Sequence, residues 1–456
     1  MSTECSAPPL TFQAVGGREI VARFDAGQMS TEGGLLLLGE LDQRLGVTQR
    51  FAQCFHDYRD PSRIAHSLET LLAQRVYAMA AGYEDVTDHE ALRTDPLLAV
   101  LCGATDVGAP LAGKSTLSRL EAGTAAAAPT ARYKKIVADP AAIDAFLLDE
   151  FVRATAAPPA EIILDVDTTD DPVHGQQEGR FFHAYYGGYC LLALYIFCGE
   201  HLLLSQLLPG DTDQRTAVLP PLQRIVARLR QQWPRTRFIV RADSGFLADA
   251  IMTWCEQHHV DYVLGLAQNA RLTRLAEKSL RKAARVCAQT GETARVFQDL
   301  TYRTRRSWRR RRRVVVKAEH MAQGANPRFV VTSLPRRDHA ARWVYEDLYC
   351  QRGDMENRIK EQQLDLFADR TSTTALASNQ LRLYFSSVAY LLLQAFRRTV
   401  LATTELATAQ CGTIRLKLLK IAARIRVTVR KVWVSLPTGY PYADLFARVH
   451  AAVLRL

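Results

Sequence analysis

The stretch Ile162-Ile163-Leu164-Asp165-Val166-Asp167 is a short apolar run that ends in acidic residues, which predicts a buried β-strand. A second run of this kind, Arg237-Phe238-Ile239-Val240-Arg241-Ala242-Asp243, also ends in an acid. In an α/β sheet, ligands bind beyond the carboxyl ends of the strands. If the two strands are neighbours, Asp167 and Asp243 meet at that edge. The alternative is that each acid caps the turn after its strand, and these two residues alone do not decide between the two.

The segments around these strands predict an α/β core. Apolar runs at 189–197 and 201–208 predict two strands joined by a tight turn at Gly199-Glu200. Later patterns predict a helix, a strand, a helix and a strand, at 216–233, 237–243, 247–258 and 262–266. Three strands followed by this alternation is the order of a ribonuclease H-like core with a mixed sheet.

Other parts of the chain flank or interrupt this core. Helical periodicity dominates ahead of an Ala/Pro-rich stretch at 154–160, which predicts a linker. Between residues 271 and 335, β-like runs predict a β-rich insertion, at 295–304, 313–319 and 328–334. Helical patterns resume near Val344 and continue toward the C-terminus.

The charge balance favours a polyanionic partner, with nucleic acid ahead of an acidic membrane surface. The 456 residues include 58 Lys and Arg against 47 Asp and Glu, a net charge of +11. Two segments without any acid carry this excess, with nine basic residues in 300–317 and seven in 406–443. Such runs suit phosphate contacts, although charge runs are also common on solvated surfaces.

Cysteine usage and hydropathy predict a cytoplasmic protein with no membrane partner. The nine cysteines form no Cys-x-x-Cys pair, which argues against a disulfide framework and a zinc ribbon. The N-terminal residues lack the pattern of a signal peptide. The apolar stretch at 191–208 is interrupted by charge and the one at 383–396 is too short to span a bilayer.

A third candidate element lies in the helix predicted beyond Val344. On a regular helix one face collects polar residues, namely Tyr349, Arg352, Glu356, Lys360 and Gln363. Taken alone, this is an amphipathic helix with a salt-bridged, solvated face. Together with Asp167 and Asp243, it supplies a third carboxylate.

With these residues the chain resembles the DDE transposases of bacterial insertion sequences. It is similar to the branch whose acid lies in a Tyr-x-x-Arg-x-x-x-Glu helix after a β-rich insertion. The resemblance covers nearly the whole chain, and four stretches carry it: Asp165-Val166-Asp167-Thr168-Thr169-Asp170-Asp171-Pro172, His174-Gly175-Gln176-Gln177-Glu178-Gly179, Arg241-Ala242-Asp243-Ser244-Gly245-Phe246 and Glu356-Asn357-Arg358-Ile359-Lys360-Glu361-Gln362-Gln363.

This resemblance implies an α/β fold with a ribonuclease H-like mixed-sheet core, a β-rich insertion and helical flanks. It implies five regions in order. They are a mainly helical N-terminal DNA-binding region (1–155), the first part of the core (156–270), a basic β-rich insertion (271–343), the second part of the core (344–400), and a basic C-terminal region for DNA binding or dimerisation (401–456).

The resemblance also assigns the site. Asp167, Asp243 and Glu356 are the implied catalytic acids and the ligands of two Mg²⁺ ions, for which Mn²⁺ can substitute. Asp165 lies two residues before Asp167 on the same strand face and is a rival for the first position. Tyr349 and Arg352 are implied to contact the DNA backbone.

One position departs from the branch. The branch usually has a Lys where this sequence has Gln363. Lys360, one turn after the glutamate, is a possible substitute for the phosphate contact of that lysine.

The implied activity is metal-dependent DNA cleavage at the ends of the element, followed by strand transfer into target DNA. The implied partners are double-stranded DNA, with terminal inverted repeats and target, and a second copy of the chain in a synaptic homodimer. Bound to DNA, such a protein is associated with the nucleoid. In the basic insertion, Arg309, Arg310 and Arg311 are the expected DNA contacts. Trp308 is expected either to stack on a displaced base or to pack in the core.

Three alternatives remain open from the sequence. A ribonuclease H-like nuclease without strand transfer needs the same three acids. A DNA-binding protein without enzymatic activity accounts for the charge but not for the acids. The stretch Gly108-Ala109-Pro110-Leu111-Ala112-Gly113-Lys114-Ser115 fits the phosphate-binding pattern of P-loop NTPases, which requires a strand directly before it. Otherwise Ser115 or Thr116 caps a helix there.

Overall fold

The computed structural model describes residues 8–104, 106–123, 132 and 134–456. The chain divides into two compact units. One consists of residues 1–139, 365–367 and 388–456, and the other of residues 140–364 and 368–387. Among the described helices, none is both long enough and apolar enough to cross a membrane.

The strands and helices are numbered separately in chain order. The described strands are β1 (Leu10–Val15), β2 (Arg18–Ala22), β3 (Met29–Ser30), β4 (Phe55–Asp57), β5 (Ile136–Ala138), β6 (Glu161–Pro172), β7 (Phe181–His183), β8 (Gly188–Cys198), β9 (His201–Leu208), β10 (Arg237–Ala242), β11 (Asp261–Leu266), β12 (Ala294–Tyr302), β13 (Arg312–Met321), β14 (Gly324–Ala325), β15 (Arg328–Thr332), β16 (Ala423–Val427) and β17 (Val432–Ser435). The described α-helices are α1 (Leu35–Leu45), α2 (Val47–Ala52), α3 (Leu68–Ala80), α4 (His89–Leu92), α5 (Pro96–Leu101), α6 (Lys114–Glu121), α7 (Pro140–Ala154), α8 (Gln214–Ala217), α9 (Leu219–Gln232), α10 (Asp249–Gln257), α11 (Ala270–Thr290), α12 (Ala341–Trp343), α13 (Gly353–Leu366), α14 (Leu376–Phe396), α15 (Cys411–Ile414) and α16 (Ala443–Val453).

The first unit contains residues from both ends of the chain, which were predicted as separate regions. Strand β16 pairs with β17 and with β3, and α16 packs against α1. Buried Ala423 and Ile425 on β16 pack against Leu97 at the start of α5. Val434 on β17 packs against the same cluster.

The second unit is built on a mixed sheet of ten strands. Its main order is β12-β13-β15-β11-β10-β6-β8-β7, with β9 paired to β8 and β14 to β13. Strands β6, β10 and β11 are parallel to one another, and the other pairs are antiparallel. The predicted mixed sheet with helices is therefore confirmed, and β6 and β10 are neighbours, as the acidic strand ends required.

Strand alternation divides the sheet into two covered faces. On β6 and β10, the residues Ile162, Leu164, Val166, Phe238 and Val240 belong to one core, which α7, α9 and α10 cover. The alternate residue Ile239 belongs to a second core with Val344 and Leu348. Because side chains alternate across a strand, Asp165, Asp167 and Arg241 point to this second face, toward the helical segment that begins at Ala341.

The β-rich insertion differs from its prediction at its start. Residues 270–290 form the long helix α11, whereas the sequence pattern predicted mainly β-structure from 271 onward. Strands β12, β13 and β15 match the predicted β-like runs. Strand β15 pairs with β11, so the insertion extends the core sheet.

Candidate active site

Asp167 and Asp243 lie side by side where β6 and β10 run parallel. Their register pairs Arg241 with Asp165 and Ala242 with Val166, so the next residue on each strand is an aspartate. Asp243 follows β10 directly, and its Oδ1 accepts a hydrogen bond from Gly245 N at 2.8 Å. For Asp167 the expected strand end was wrong, since β6 continues to Pro172 and pairs Asp167 with Tyr195 of β8.

The third carboxylate comes from an irregular helical segment. After α12, residues Val344–Tyr349 form a π-helical turn and Cys350–Arg352 a 3₁₀ turn, before α13 begins at Gly353. Changes of helix type within one segment are frequent at functional sites. Glu356 lies in the first turn of α13, one α-turn after Arg352.

Arg352 joins two of the three acids. Its Nη1 donates to Oδ2 of Asp167 at 2.8 Å, and its Nη2 donates to Oε1 of Glu356 at 2.5 Å. Glu356 is half-exposed, whereas Asp167 and Arg352 are largely buried. The guanidinium therefore lies between the two carboxylates.

The three acids repel one another despite this arginine. Burial raises the pKa of Asp167 to about 6, Arg352 opposes this rise, and the charges of Asp243 and Glu356 add to it. Burial works against the charge of Arg352, but Asp167 and Glu356 outweigh it and raise the arginine pKa. The site thus holds more negative charge than one guanidinium compensates.

All four of these residues line one cleft of about 680 Å³. Thr168 also lines it and donates from Oγ1 to Oε1 of Gln214, which lies at the start of α8. Gln214 was not among the site residues predicted from the sequence, because no local pattern connects it to a strand residue 46 positions earlier. Tyr185 and Tyr186 also line the cleft. They could have been found from the sequence, because aromatic residues cluster around them.

Asp165, the rival first acid, has a different environment. Arg241 donates from Nε and Nη2 to its two oxygens at 2.5 and 2.7 Å. The same arginine donates from Nη1 to the backbone oxygen of Leu348 at 2.5 Å. Both side chains of the pair are buried, and Asp165 does not line the cleft.

Tyr349 packs against the turn that carries Asp243. A Cβ atom at Gly265 of β11 would lie 2.7 Å from the Tyr349 hydroxyl oxygen and 2.7 Å from Ser244 N. Only glycine allows these atoms to approach so closely. Tyr349 is therefore seated beside the second acid, although it does not line the cleft itself.

Gln363 stands where the branch has a lysine, and Lys360 is its possible substitute. The two side chains have different surroundings. Gln363 reaches β6, where its Nε2 lies 3.3 Å from Thr169 Oγ1 and 3.4 Å from Asp171 Oδ1. Lys360 is exposed and does not line the cleft. Asp171 is fully buried, and its Oδ2 has no hydrogen-bond partner in the part of the chain that the structure describes.

Residues 309–313 are five consecutive arginines, which we call the arginine run. Acids of the same unit partly neutralise it. Arg310 is 2.8 Å from Glu256, and Arg309 is 3.6 Å from Asp249. Arg312 is buried and bonded to both of these acids. Arg309, Arg310 and Arg311 are nevertheless exposed at their outer ends.

Trp308 is buried, which favours core packing over base stacking. It is 6% exposed, its ring meets that of Tyr302 edge-on at 5.7 Å, and Arg312 lies 5.7 Å from its centroid.

The P-loop interpretation is wrong for this chain. The element ahead of Gly108 is helix α5, not a strand. Helix α6 begins at Lys114 with Gly113 as its N-cap, so neither Ser115 nor Thr116 caps it. Lys114 N donates to Glu90 Oε1 at 2.8 Å, so this amide is not free to bind a phosphate.

Comparison with protein families agrees with this geometry. The family described as transposase DDE domain group 1 matches residues 12–456 of the chain. The chain belongs to this transposase family. No curated protein matches it.

Transposases of this kind act on DNA and generally use divalent metal ions. The donor set of the cleft fits such an ion, since hard cations prefer carboxylate oxygens and the site carries uncompensated negative charge. In the described part of the chain, no three His, Cys, Asp or Glu side chains converge closely enough to hold a metal as they stand. In the transposase cleft, the Arg352 guanidinium stands between Asp167 and Glu356.

Proposed function

We propose that the chain is the DDE transposase of a bacterial insertion sequence, which cleaves DNA at the element ends and transfers the freed strand into target DNA. The observation that carries this proposal is the cleft shared by Asp167, Asp243 and Glu356 at the edge where β6 and β10 run parallel. Membership of the transposase family supports the same conclusion.

Asp167, Asp243 and Glu356 are the proposed ligands of two Mg²⁺ ions, with Mn²⁺ as a substitute. Such a pair supplies an activated nucleophile and stabilises the leaving oxygen in an in-line displacement. The hydrogen bond from Gly245 N fixes the orientation of the Asp243 carboxylate. The pairing of β6 with β8 beyond Asp167 holds the first acid in a continuous strand rather than in a mobile loop.

Arg352 and Tyr349 are the proposed contacts to the backbone phosphate at the cleaved end. Arg352 presents a planar guanidinium, which suits two-point binding of a phosphate. To do so it leaves its ion pairs with Asp167 and Glu356. Tyr349 lies directly beside the turn of Asp243, with its hydroxyl group next to Gly265. Lys360 is a further proposed contact, from the exposed side of α13.

DNA outside the cleft is proposed to bind at two basic surfaces. One is the exposed end of the arginine run, Arg309, Arg310 and Arg311. The other is the basic hairpin, defined as residues 423–435 on β16 and β17. Its Arg424, Arg426, Arg430 and Lys431 are all exposed and have no carboxylate partner among the described residues. A side-chain cation without an acid partner can neutralise a DNA phosphate and so release the counterions condensed on the DNA.

We propose further that the active species is a homodimer that pairs the two element ends, and that it acts at the nucleoid. A ribonuclease H-like nuclease without strand transfer is the remaining alternative, since the acids are the same in both. Addition of a target plasmid to the cleavage reaction separates the two. A transposase gives a joined product, whereas a nuclease gives cleaved ends only.

The proposed function is tested by nicking of a duplex that carries the DNA flanking the reading frame. With Mg²⁺, the parent protein is expected to nick the strand at the element end. Asp167→Asn, Asp243→Asn and Glu356→Gln are each expected to lower the rate at least about 100-fold, as removal of a metal ligand does. Asp347→Asn, an exposed acid on the same helical segment, is the matched control. Equal nicking by the parent and the three variants would refute the proposal.

A further inference from the structure

Asp171 has a buried carboxylate with no cationic partner in the part of the chain that the structure describes. It lies on β6, the strand of Asp167, but outside the cleft. Gln363 Nε2 is 3.4 Å from its Oδ1, and its Oδ2 accepts no hydrogen bond from any described residue. The charges that act on it, those of Asp369 and Asp170, are both negative. An ionised carboxylate in such surroundings is costly unless a cation or a proton neutralises it.

The hydroxyl group of Tyr195 belongs to the same buried region. Tyr195 is on β8 opposite Asp167, so it shares the sheet face of Asp167 and Asp171. Burial raises the pKa of Tyr195 well above its usual range, and the charges of Asp171 and Asp369 add to this rise. The hydroxyl oxygen is buried and forms no hydrogen bond with the described residues. A second oxygen without a partner therefore lies near the Asp171 carboxylate.

Two neighbouring glutamines of α13 lie on either side of Tyr195. Gln363 contacts β6. Gln362 Nε2 donates to Ser387 Oγ at 3.0 Å, and that oxygen lies 2.7 Å from Ser205 Oγ. Ser205 is the residue of β9 that pairs with Tyr195. Because β8 lies between β6 and β9, the two glutamines flank the strand of Tyr195.

The direction of these hydrogen bonds fixes the orientation of the Gln362 amide. Ser387 Oγ donates its one hydrogen to Leu383 O at 2.8 Å, so it can only accept from Ser205 and from Gln362. The nitrogen of the Gln362 amide must therefore face Ser387, and Oε1 points away from it. This Oε1 is also buried and has no partner among the residues that the structure describes. It is the third such oxygen.

A cation accounts for the three oxygens better than a proton does. No hydrogen bond joins the Tyr195 hydroxyl group to Asp171 or to Gln362. A proton stabilises two oxygens only when they are in hydrogen-bond contact. A hard cation instead gathers several separate oxygens around itself, charged and neutral alike. One fully buried carboxylate together with neutral oxygens suits an ion of single charge.

We propose that the oxygens of Asp171, Tyr195 and Gln362 hold one monovalent cation, K⁺ or Na⁺, between α13 and the sheet. None of these three residues lines the cleft of the catalytic acids, so the site goes beyond the proposed function. Bound there, the ion neutralises Asp171. It also connects α13, whose first turn carries Glu356, to strands β6 and β8.

The test is thermal unfolding of the full chain at pH 8 without divalent metal. K⁺ or Na⁺ replaces choline at constant ionic strength. Between about 1 and about 100 mM of the preferred ion, the unfolding midpoint of the parent is expected to rise by at least about 3 °C, because a ligand of the folded state stabilises it by mass action. Equilibrium dialysis with a radioactive tracer of that ion should find one bound ion per chain.

Four variants locate the ion. Asp171→Asn keeps the side-chain shape without its charge, and Tyr195→Phe removes only the hydroxyl group. Both are expected to lose more than half of the ion-dependent rise. Gln363→Lys keeps all three oxygens but brings its own ammonium group to Asp171, and should lose the rise as well. Asp167→Asn removes a carboxylate of the cleft and should keep the full rise.

An equal rise in the parent and in Asp171→Asn, or no rise with either ion, would overturn the proposal. The second result would leave Asp171 as a protonated carboxyl group. A rise that is lost in Asp167→Asn but kept in Asp171→Asn would overturn it too, by assigning the ion to the cleft. The nicking of element-end DNA tests the proposed function independently of these outcomes.

Discussion

Arg352 Nη1 lies 2.8 Å from Oδ2 of Asp167, and this ion pair occupies the space between Asp167 and Glu356. A guanidinium is a permanent positive charge, so it neutralises the carboxylates that a divalent cation would bind. In the free protein, two of the three proposed metal ligands, Asp167 and Glu356, are thus engaged in competing ion pairs. DNA that draws Arg352 to a phosphate would free them, which couples metal binding to substrate binding.

Removal of Arg352 should therefore strengthen metal binding by the free protein. We expect Arg352→Ala to bind Mn²⁺ about tenfold more tightly than the parent, a gain of about 1.4 kcal/mol. The measurement is the free Mn²⁺ signal in electron paramagnetic resonance, without DNA. Arg358→Ala removes the same charge from α13 but breaks ion pairs with Glu200 and Glu361 instead, and should leave Mn²⁺ affinity unchanged. Unchanged or weaker affinity in Arg352→Ala would exclude the competition.

Asp165 and Asp167 should separate into a structural and a catalytic acid. Asp165→Asn leaves Arg241 buried without its counter-charge, so we expect a loss of about 3 kcal/mol in the free energy of unfolding. Asp167→Asn should abolish nicking without such a loss. Denaturant unfolding and the nicking assay, run on both variants, measure the two effects. Reversed effects would make Asp165 the first acid.

The effect of Asp167→Asn on the free energy of unfolding should depend on pH, because the pKa of Asp167 is about 6 in the folded protein. In unfolded chains an aspartate titrates near about 3.9. Between these values the folded state binds more protons than the unfolded state, so this carboxyl lowers stability as pH rises from about 4 to about 6. The variant should gain stability relative to the parent across this window and hold the gain above it.

Gln363→Lys should stabilise the protein increasingly as pH rises. Burial raises the pKa of Asp171 well above its usual range, and the charge of Asp369 adds to this rise, whereas the Gln363 hydrogen bond opposes it. The ionised carboxylate therefore costs stability from about pH 4 upward. A lysine at 363 would offset that cost, by about 1–3 kcal/mol at pH 8. Gln363→Met, of similar length and uncharged, is the control for thermal unfolding at pH 5 and pH 8. The same gain at both pH values would contradict the argument.

The two basic segments should differ in what they contribute. Arg312→Ala leaves Asp249 and Glu256 without their buried partner and should cost about 3 kcal/mol of stability. Its effect on the salt dependence of DNA binding should be small. Arg430→Ala with Lys431→Ala, on the basic hairpin, should leave stability unchanged and lower the slope of log K against log salt by about two. Filter binding across a salt series checks both, and equal slopes in all variants would remove the basic hairpin from the interface.

Much of the core could be predicted because its strands are apolar. Strands β8, β9, β10 and β11 were expected within one or two residues of their observed bounds, since both of their faces are covered. The outer half of β6 was missed. Its residues 168–171 are polar and resemble a loop, yet they pair with buried residues of β8. Their side chains are polar because Thr168 lines the cleft and bonds to Gln214, and Thr169 contacts Gln363.

Helix α11 and the arginine run mark the limit of local patterns. Only Leu272, Ala276 and Ala283 are buried on α11, and two of these are too small to give an apolar stripe. The acids that neutralise Arg310 and Arg312 lie more than 50 residues earlier in the chain. A run of charge shows how many cations are present but not which of them are already paired.

Arg241 has a consequence beyond its ion pair. It is part of β10, the strand that leads into Asp243, and it bonds both Asp165 on the strand of Asp167 and the Leu348 oxygen ahead of Glu356. One side chain thus connects the three segments that carry the acids. The spacing of the acids is set from within the core, and sequence drift at the cleft surface can proceed without changing it.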